Sequence, residues 1–299
     1  MPDYFDPHVI GRIKGFELRS LRLVESYMAG IHKSRLLGIS TEFSQHRQYV
    51  PGDDTKHLDW KVYAKTDRFY VKQYEAETNM KVFFVLDTSN SMHFKSEDAA
   101  MSKFDYAATV VASLGFLLMQ QKDTFGLILF DEEVRNTLPA KGSHTHFRNF
   151  TSLLDAAAPG GQTNLGDALF ALGPHLKSRG VVIVLSDFLA EMEHFNMALG
   201  QMSFGNHDVA MFHVQDPLER DFPFAGQTIF LGPEDEGRLL CDPRDLRNAY
   251  LRAKRRHADG LRSMALRFGF DVETVDTDAR LDEILSRFLA DRLARRKRR

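Results

Sequence analysis

Short, continuous runs of apolar residues recur along the chain from residue 81 onward. Such runs are typical of strands buried on both faces of a sheet, and they lie at residues 81–86, 125–130 and 181–185. Two further strands are predicted at residues 208–214 and 270–275. Between them, apolar residues recur with the i, i+3, i+4 spacing of packed helices, at residues 104–118, 146–157, 165–177, 191–202 and 243–268. A further helical pattern follows at residues 281–293.

This alternation of strands and helices predicts the fold class. It favours an α/β fold with a doubly wound, mostly parallel sheet and helices on both faces. We expect residues 81–294 to form this domain. In such sheets, ligands bind at the carboxyl ends of the strands, near the point where the strand order reverses. The residues that directly follow each apolar run are therefore the first candidates for a functional site.

The first eighty residues have a different pattern. A helix is predicted from Phe16, with Leu18, Leu21 and Tyr27 or Met28 on its apolar face and Gly30 as its end. A loop-rich stretch follows, and alternating residues at 68–75 predict a strand. No low-complexity linker comes after it, so we expect residues 1–80 to pack on the main domain as an N-terminal extension.

Composition and charge narrow the class of protein. The 299 residues are 43% hydrophobic and 27% charged, with a net charge of −2, which is typical of a soluble globular protein. No stretch approaches the roughly 20 apolar residues of a membrane span, and the N-terminus lacks the apolar core of a signal peptide. We therefore expect a cytoplasmic protein without a membrane span. The single cysteine, Cys241, excludes an intrachain disulfide.

A basic tail at residues 295–299 interrupts the balanced charge. The favoured interpretation is a solvated tail, because blocks of like charge are commonly disordered. The alternative is nucleic-acid binding by this tail together with the basic cluster at residues 252–256. We do not expect nucleic acid as the main partner, because the whole chain has no net positive charge to attract it.

Oxygen-bearing side chains follow two of the apolar runs and also occupy a glycine-rich loop between them. The first run leads into Asp87, Ser89 and Ser91, whose alternate spacing lets the three side chains point the same way. The loop offers the Thr163 hydroxyl, and a later run leads into Asp187. Because the carboxyl ends of parallel strands share one edge of a sheet, we expect these five residues to meet.

Two carboxylates and three hydroxyls, without cysteine or histidine, form a set of hard oxygen ligands. Mg²⁺ or Mn²⁺ suits such a set best, with water completing the coordination. A simpler reading remains open for each piece alone, because Asp and Ser residues after a strand often only cap turns and helices. The occurrence of all the pieces at one predicted edge favours the metal site.

These five residues resemble the metal-ion-dependent adhesion site of the von Willebrand factor A superfamily. The pattern of that site is DxSxS after the first strand, a Thr in a later loop and an Asp after a further strand. The resemblance covers roughly residues 80–290, and it implies that Ser89, Ser91 and Thr163 contact the cation while Asp87 and Asp187 act largely through water. It also implies that the cation binds an Asp or Glu side chain of a protein partner.

The upstream segments GISTEF, RQYVPGDD and HLDW look like a bacterial family catalogued as domain of unknown function 58. That resemblance implies a MoxR-type AAA+ ATPase as a partner. We interpret the segment as structural, with a turn anchored by Trp60. The alternative is a second polar site, formed by Asp53, Asp54, His57 and Asp59.

The sequence thus favours a non-enzymatic, metal-dependent protein–protein interaction module that works with an AAA+ ATPase on client proteins. The alternative is a Mg²⁺-dependent phosphohydrolase that uses Asp87 as nucleophile or metal ligand. Such enzymes usually place a second acid two residues later, where this chain has Ser89. The chain also has no GxxxxGK[ST], HExxH or GxSxG motif.

Overall fold

The chain divides into a discontinuous main unit, Met1–Gly30 with Met80–Arg299, and a second unit, Ile31–Asn79. The computed structural model describes residues 2–33, 46–48, 70–72, 81–158, 160–176, 179–189, 192–232 and 237–287. Residues 2–30 therefore group with the C-terminal part of the chain.

In the second unit, two described strands pair antiparallel. They are β1 (His46–Gln48) and β2 (Tyr70–Lys72), with Arg47 opposite Val71. Strand β2 lies within the strand predicted at residues 68–75. The alternative polar site at Asp53, Asp54, His57 and Asp59 lies outside the described residues, as do Trp60 and the basic tail at 295–299.

The main unit is built on a six-stranded sheet. The remaining strands are β3 (Lys81–Asp87), β4 (Thr124–Phe130), β5 (Val134–Lys141), β6 (Val181–Ser186), β7 (Asp208–Gln215), β8 (Thr228–Leu231), β9 (Arg238–Cys241) and β10 (Asp271–Asp276). The sheet order is β10-β7-β6-β3-β4-β5, and β8 and β9 form a separate antiparallel pair. Only β5 runs antiparallel in the sheet, so the predicted mostly parallel α/β fold is confirmed.

Helices cover both faces of this sheet. They are α1 (Pro7–Ile10), α2 (Phe16–Lys33), α3 (Lys103–Gln120), α4 (His144–Ala156), α5 (Leu165–Leu172), α6 (Met192–Phe204), α7 (Pro217–Asp221) and α8 (Pro243–Arg267), and residues 281–287 are also helical. On one face, Phe83 and Val85 join a core that includes residues of α5, α6 and α8. On the other, the ring of Phe84 lies 5.8 Å from that of Phe150 in α4.

Helix α3 is buried almost all round. Its sequence is apolar on nearly every side, which is typical of a helix enclosed by other elements. Helix α2 contacts it, and the Arg19 guanidinium lies 3.6 Å from Asp105 and 3.5 Å from the Thr109 hydroxyl. The first residue of α3, Lys103, has no exposed surface.

The structure corrects the predicted course of α2. The helix continues through Gly30 to Lys33, because a single glycine costs a helix only about 1 kcal/mol. Leu18 and Met28 are exposed rather than on the buried face. The buried residues of this helix follow an i, i+4, i+7, i+8, i+11 spacing, namely Phe16, Ser20, Leu23, Val24 and Tyr27.

Helix α5 is shorter than its apolar pattern predicts. It ends at Leu172 and passes into a 3₁₀ turn at Gly173–His175. Pro174 explains this end, because proline has no N–H to donate and clashes with the preceding turn of an α-helix. In the described part of the chain, no helix is both long and apolar enough to span a membrane.

Candidate metal centre

The predicted edge of the sheet contains the point where the strand order reverses. Strands β3 and β6 are neighbours, with Leu86 opposite Leu185. From β3 the chain continues to β4 on one side, and from β6 it continues to β7 on the other. In sheets of this kind, ligands bind beyond the carboxyl ends of the strands at such a point, which here is the end of β3 and β6.

The residues after β3 fold back on themselves at this edge of the sheet. The Ser89 N–H donates to Asp87 Oδ1 at 2.9 Å, and the hydroxyls of Ser89 and Ser91 lie 3.0 Å apart. All three side chains are buried. A 3₁₀ turn at Ser91–His93 then leads the chain away, so the alternate spacing does place three oxygen-bearing side chains together.

The glycine-rich loop contributes the next hydroxyl. Thr163 Oγ1 donates to Asp87 Oδ2 at 3.4 Å. The loop is attached to the end of β3, because Gly160 pairs with Ser89 in a parallel bridge and its N–H donates to the Thr88 carbonyl at 2.9 Å. A side chain at position 160 would collide with Asp131, since its Cβ would lie 1.5 Å from Asp131 Oδ2. Glycine is therefore required for this close approach.

The end of β6 supplies Asp187 and one further hydroxyl. Ser186 Oγ donates to Asp87 Oδ2 at 2.5 Å, which joins the ends of β3 and β6. Asp187 itself is bound to a lysine: Lys103 Nζ donates to Asp187 Oδ2 at 2.8 Å and to Glu219 Oε1 at 2.8 Å. Asp187 is thus next to the cluster, with an internal counter-ion on one of its oxygens.

A strained backbone turn follows Asp187. Phe188 has a φ of 57°, the left-handed conformation that aromatic residues rarely adopt. Its ring is fully buried, 5.7 Å from the ring of Phe195, and its N–H donates to Ser186 Oγ at 2.8 Å. This turn lets the Leu189 N–H donate to Asp187 Oδ1 at 3.3 Å. Strain held by packing in this way is a feature of functional sites.

Burial and charge set the protonation of the site. Burial, and then the charge of Asp187, raise the pKa of Asp87 to about 7, against the opposing effect of hydrogen bonds from Ser186 and Ser89. Burial lowers the pKa of Lys103, but the charges of Asp187 and Glu219 outweigh it and raise that pKa to about 12. Lys103 is therefore charged at neutral pH, whereas the ionised form of Asp87 is unfavourable without a cation beside it.

The donors present fit a hard divalent cation. Asp87 receives hydrogen bonds from an N–H and two hydroxyls, all of them neutral groups, while a second carboxylate lies near it. A cation beside Asp87 would relieve this repulsion, and hydroxyl and carboxylate oxygens are suitable ligands for Mg²⁺ or Mn²⁺. Among the described residues, no group of three or more His, Cys, Asp or Glu side chains is placed to hold a metal.

The structure therefore brings the five predicted residues to one place. Asp87, Ser89, Ser91 and Thr163 are connected by hydrogen bonds, and Asp187 lies beside them. Sequence reasoning missed Ser186 and Lys103. Ser186 had a signal, because it directly precedes Asp187 at the end of an apolar run. Lys103 had none, because a lysine in the first turn of a helix ordinarily reaches solvent.

Comparison with known proteins gives a family and uncharacterised relatives. The family model described as "Protein of unknown function DUF58" matches residues 45–260. Uncharacterised proteins of Mycobacterium bovis and Mycobacterium tuberculosis are 26% identical over 296 residues, which is 97% of this chain and 92% of each of theirs.

Several solved structures are similar in part. BatB, a conserved hypothetical protein of Bacteroides thetaiotaomicron, is 17% identical with a TM-score of 0.46 and covers 71% of this chain and 98% of its own. An aerotolerance-related membrane protein of Bacteroides fragilis is 18% identical with a TM-score of 0.49, and the match covers 70% of this chain and 97% of that protein's chain. The SpRpn10 VWA domain is 11% identical with a TM-score of 0.43, and the match covers 70% of this chain and 95% of that domain's chain. Similarity at this level supports no statement about function.

Proposed function

The chain belongs to the DUF58 family, whose model matches well over half of it, and from its site we propose a protein-interaction module that binds a divalent cation. The cation would be Mg²⁺ or Mn²⁺, and through it the chain would bind a carboxylate of a partner protein. The observation that supports this most is Asp87. It is a fully buried carboxylate beside Asp187, and the hydrogen bonds that it accepts come from neutral groups.

The residues have distinct parts in this proposal. The hydroxyls of Ser89, Ser91 and Thr163 would hold the cation, and Asp87 and Asp187 would act largely through water. When bound, the cation supplies an electrophilic centre for an Asp or Glu of the partner. Because few protein charges compensate it, it keeps more of its positive charge for that partner.

A calorimetric titration tests the site directly. We expect the full chain to bind Mg²⁺ and Mn²⁺ saturably and Asp87→Ala to lose that binding. Asp259→Asn, which removes an exposed carboxylate on α8, should bind as the original chain does. Absence of binding at millimolar cation in the original chain would overturn the proposal.

The proposed partner is a MoxR-type AAA+ ATPase, with which the chain would act on client proteins. This rests on the resemblance of the upstream segments to the family, and a metal-dependent complex is the expected outcome. Purified chain and ATPase should associate in Mg²⁺ and separate in EDTA. Association that is equal in both conditions would place the contact away from the metal centre.

We propose that the chain is not an enzyme. Phosphohydrolases with doubly wound folds usually supply a lysine that contacts the phosphate, and the ammonium of Lys103 at this site is instead fully buried between two carboxylates. Phosphoester turnover that disappears in Asp87→Asn would show the opposite. Nucleic-acid binding through residues 252–256 and 295–299 stays an alternative prediction, and a steep salt dependence of binding that is lost without the tail would favour it.

A further inference from the structure

Lys103 is a lysine in an unusual place. It is the first residue of α3, has no exposed surface, and its ammonium lies 2.8 Å from both Asp187 Oδ2 and Glu219 Oε1. The face of the Phe94 ring lies 6.0 Å from the same ammonium. A positive charge is unfavourable at a helix N-terminus, and a buried charge is costly even when paired. Helix stability therefore does not explain this residue.

The second partner of Lys103 is itself fixed. Glu219 belongs to the short helix α7, where its Oε2 accepts from the Asp216 N–H at 3.1 Å. Asp216 is the N-cap of that helix, and its Oδ2 accepts from the Ser96 N–H at 3.1 Å. The ammonium is thus held between two carboxylates, and each of these also accepts a hydrogen bond from a backbone N–H.

We propose that Lys103 is a positioning residue of the metal centre, an inference that rests on the proposed function. It holds Asp187 away from direct contact with the cation and cancels one of the two negative charges of the site. The bound cation then keeps enough positive charge to attract the carboxylate of a partner. Lys103 weakens cation binding in exchange for stronger carboxylate binding.

Two variants change this balance in opposite directions. Lys103→Met removes the ammonium with little loss of volume, so Asp187 is free to coordinate the cation. Cation affinity should rise on the order of tenfold, and affinity of the loaded centre for a carboxylate should fall. Glu219→Gln removes a nearby negative charge, so the ammonium of Lys103 then pairs with Asp187 only. It should weaken cation binding severalfold and strengthen carboxylate binding.

Electron paramagnetic resonance of Mn²⁺ measures the affinity of the full chain for the cation. Acetate is added as the carboxylate probe. A second measurement, the relaxation rate of water protons, gives the number of water ligands on the bound Mn²⁺. This number should fall by about one in Lys103→Met, because Asp187 enters the coordination shell. Lys103→Arg keeps the positive charge, so its affinities for Mn²⁺ and for acetate should resemble those of the original chain. A purely structural role for Lys103 would instead weaken Mn²⁺ and acetate binding together.

The outcomes separate the two proposals. Unchanged or weaker Mn²⁺ binding in folded Lys103→Met overturns the role of Lys103 and leaves the metal-dependent function standing. Absence of Mn²⁺ binding in the original chain overturns both the metal-dependent function and the role of Lys103. If Lys103→Met binds Mn²⁺ and the original chain does not, the ammonium of Lys103 takes the place of the cation. If Lys103→Met does not fold, Glu219→Gln decides: unchanged or tighter Mn²⁺ binding overturns the inference.

Discussion

At the scale of single residues, the site contains two negative charges that the sequence motif predicts, Asp87 and Asp187, and one positive charge that it does not, Lys103. Asp87 and Asp187 stand at the ends of buried runs, so their meeting could be predicted from the sequence. Lys103 could not, because its burial depends on Asp187 and Glu219, which lie 84 and 116 residues further along the chain. Pairings at such separations depend on how the elements pack rather than on local pattern.

The raised pKa of Asp87 makes a prediction about stability. Its folded value of about 7 is above the ordinary 3.8, so the folded chain binds more protons, and stability is lost as the pH rises toward 7. Without metal at pH 8, Asp87→Asn should therefore raise the free energy of unfolding by on the order of 1–4 kcal/mol. The gain should disappear near pH 4. Chemical denaturation at both pH values measures it.

The same variant links stability to the cation. Asp87→Asn should lose the stabilisation that Mg²⁺ gives to the original chain, since binding to the folded state alone raises stability. A variant that is less stable than the original at pH 8 in EDTA would contradict the prediction. It would mean that the three hydrogen bonds to the carboxylate outweigh the cost of its charge.

At the scale of elements, sequence pattern predicted the buried strands of the sheet and the edge strand β10, but missed the other edge strand, β5, and the separate β8–β9 pair. Strands β3, β4 and β6 contain continuous apolar runs, and β7 is apolar over most of its length. Strand β5 was not predicted, because this antiparallel edge strand is largely exposed and contains Pro139, which is tolerated in sheets mainly at edges. The β8–β9 pair was missed because each strand has only four residues.

The glycine-rich loop offers a matched pair of substitutions. Gly160→Ala would place a Cβ 1.5 Å from Oδ2 of Asp131, a buried side chain paired with Arg135 at 2.7 Å. It should cost about 1–3 kcal/mol and displace the loop that carries Thr163. Denaturation should therefore show lower stability, and a Mg²⁺ titration should show weaker binding.

Gly161→Ala is the control for this prediction. Its Cβ would meet the end of Glu132 at 1.7 Å, but that side chain is exposed and can turn into solvent. Stability and Mg²⁺ affinity should both stay close to those of the original chain. Equal losses in the two variants would show that loop flexibility, and not contact with Asp131, requires glycine at position 160.

At the scale of the whole molecule, the N-terminal segment is part of the main unit. Leu23 of α2 is fully buried, and Tyr27 of the same helix lies 3.2 Å from the Ser286 hydroxyl. The sequence predicted a helix here but placed exposed residues on its buried face, because several apolar residues occur around the helix. Which of them turn inward is decided by α3 and by residues 281–287.

Leu23→Ala should therefore destabilise the main unit although it lies far from the sheet in sequence. Loss of a fully buried leucine costs about 2–5 kcal/mol, and we expect the midpoint of denaturation to fall accordingly. Leu18→Ala, on the exposed side of the same helix at 46% exposure, should cost less than about 1 kcal/mol. Similar effects from the two substitutions would contradict the assigned buried face.

The contacts between residues 3–5 and residues 280–281 have a consequence for the synthesis of the chain. Asp3 pairs with Arg280 at 2.7 Å, and the Leu281 N–H donates to the Phe5 carbonyl at 3.1 Å. A ribosome releases residue 3 long before residue 281, so these contacts wait for almost the entire polypeptide. Contacts this distant in sequence slow folding. The second unit, Ile31–Asn79, leaves the exit tunnel before the main unit can close, and the nascent chain must remain unaggregated throughout that interval.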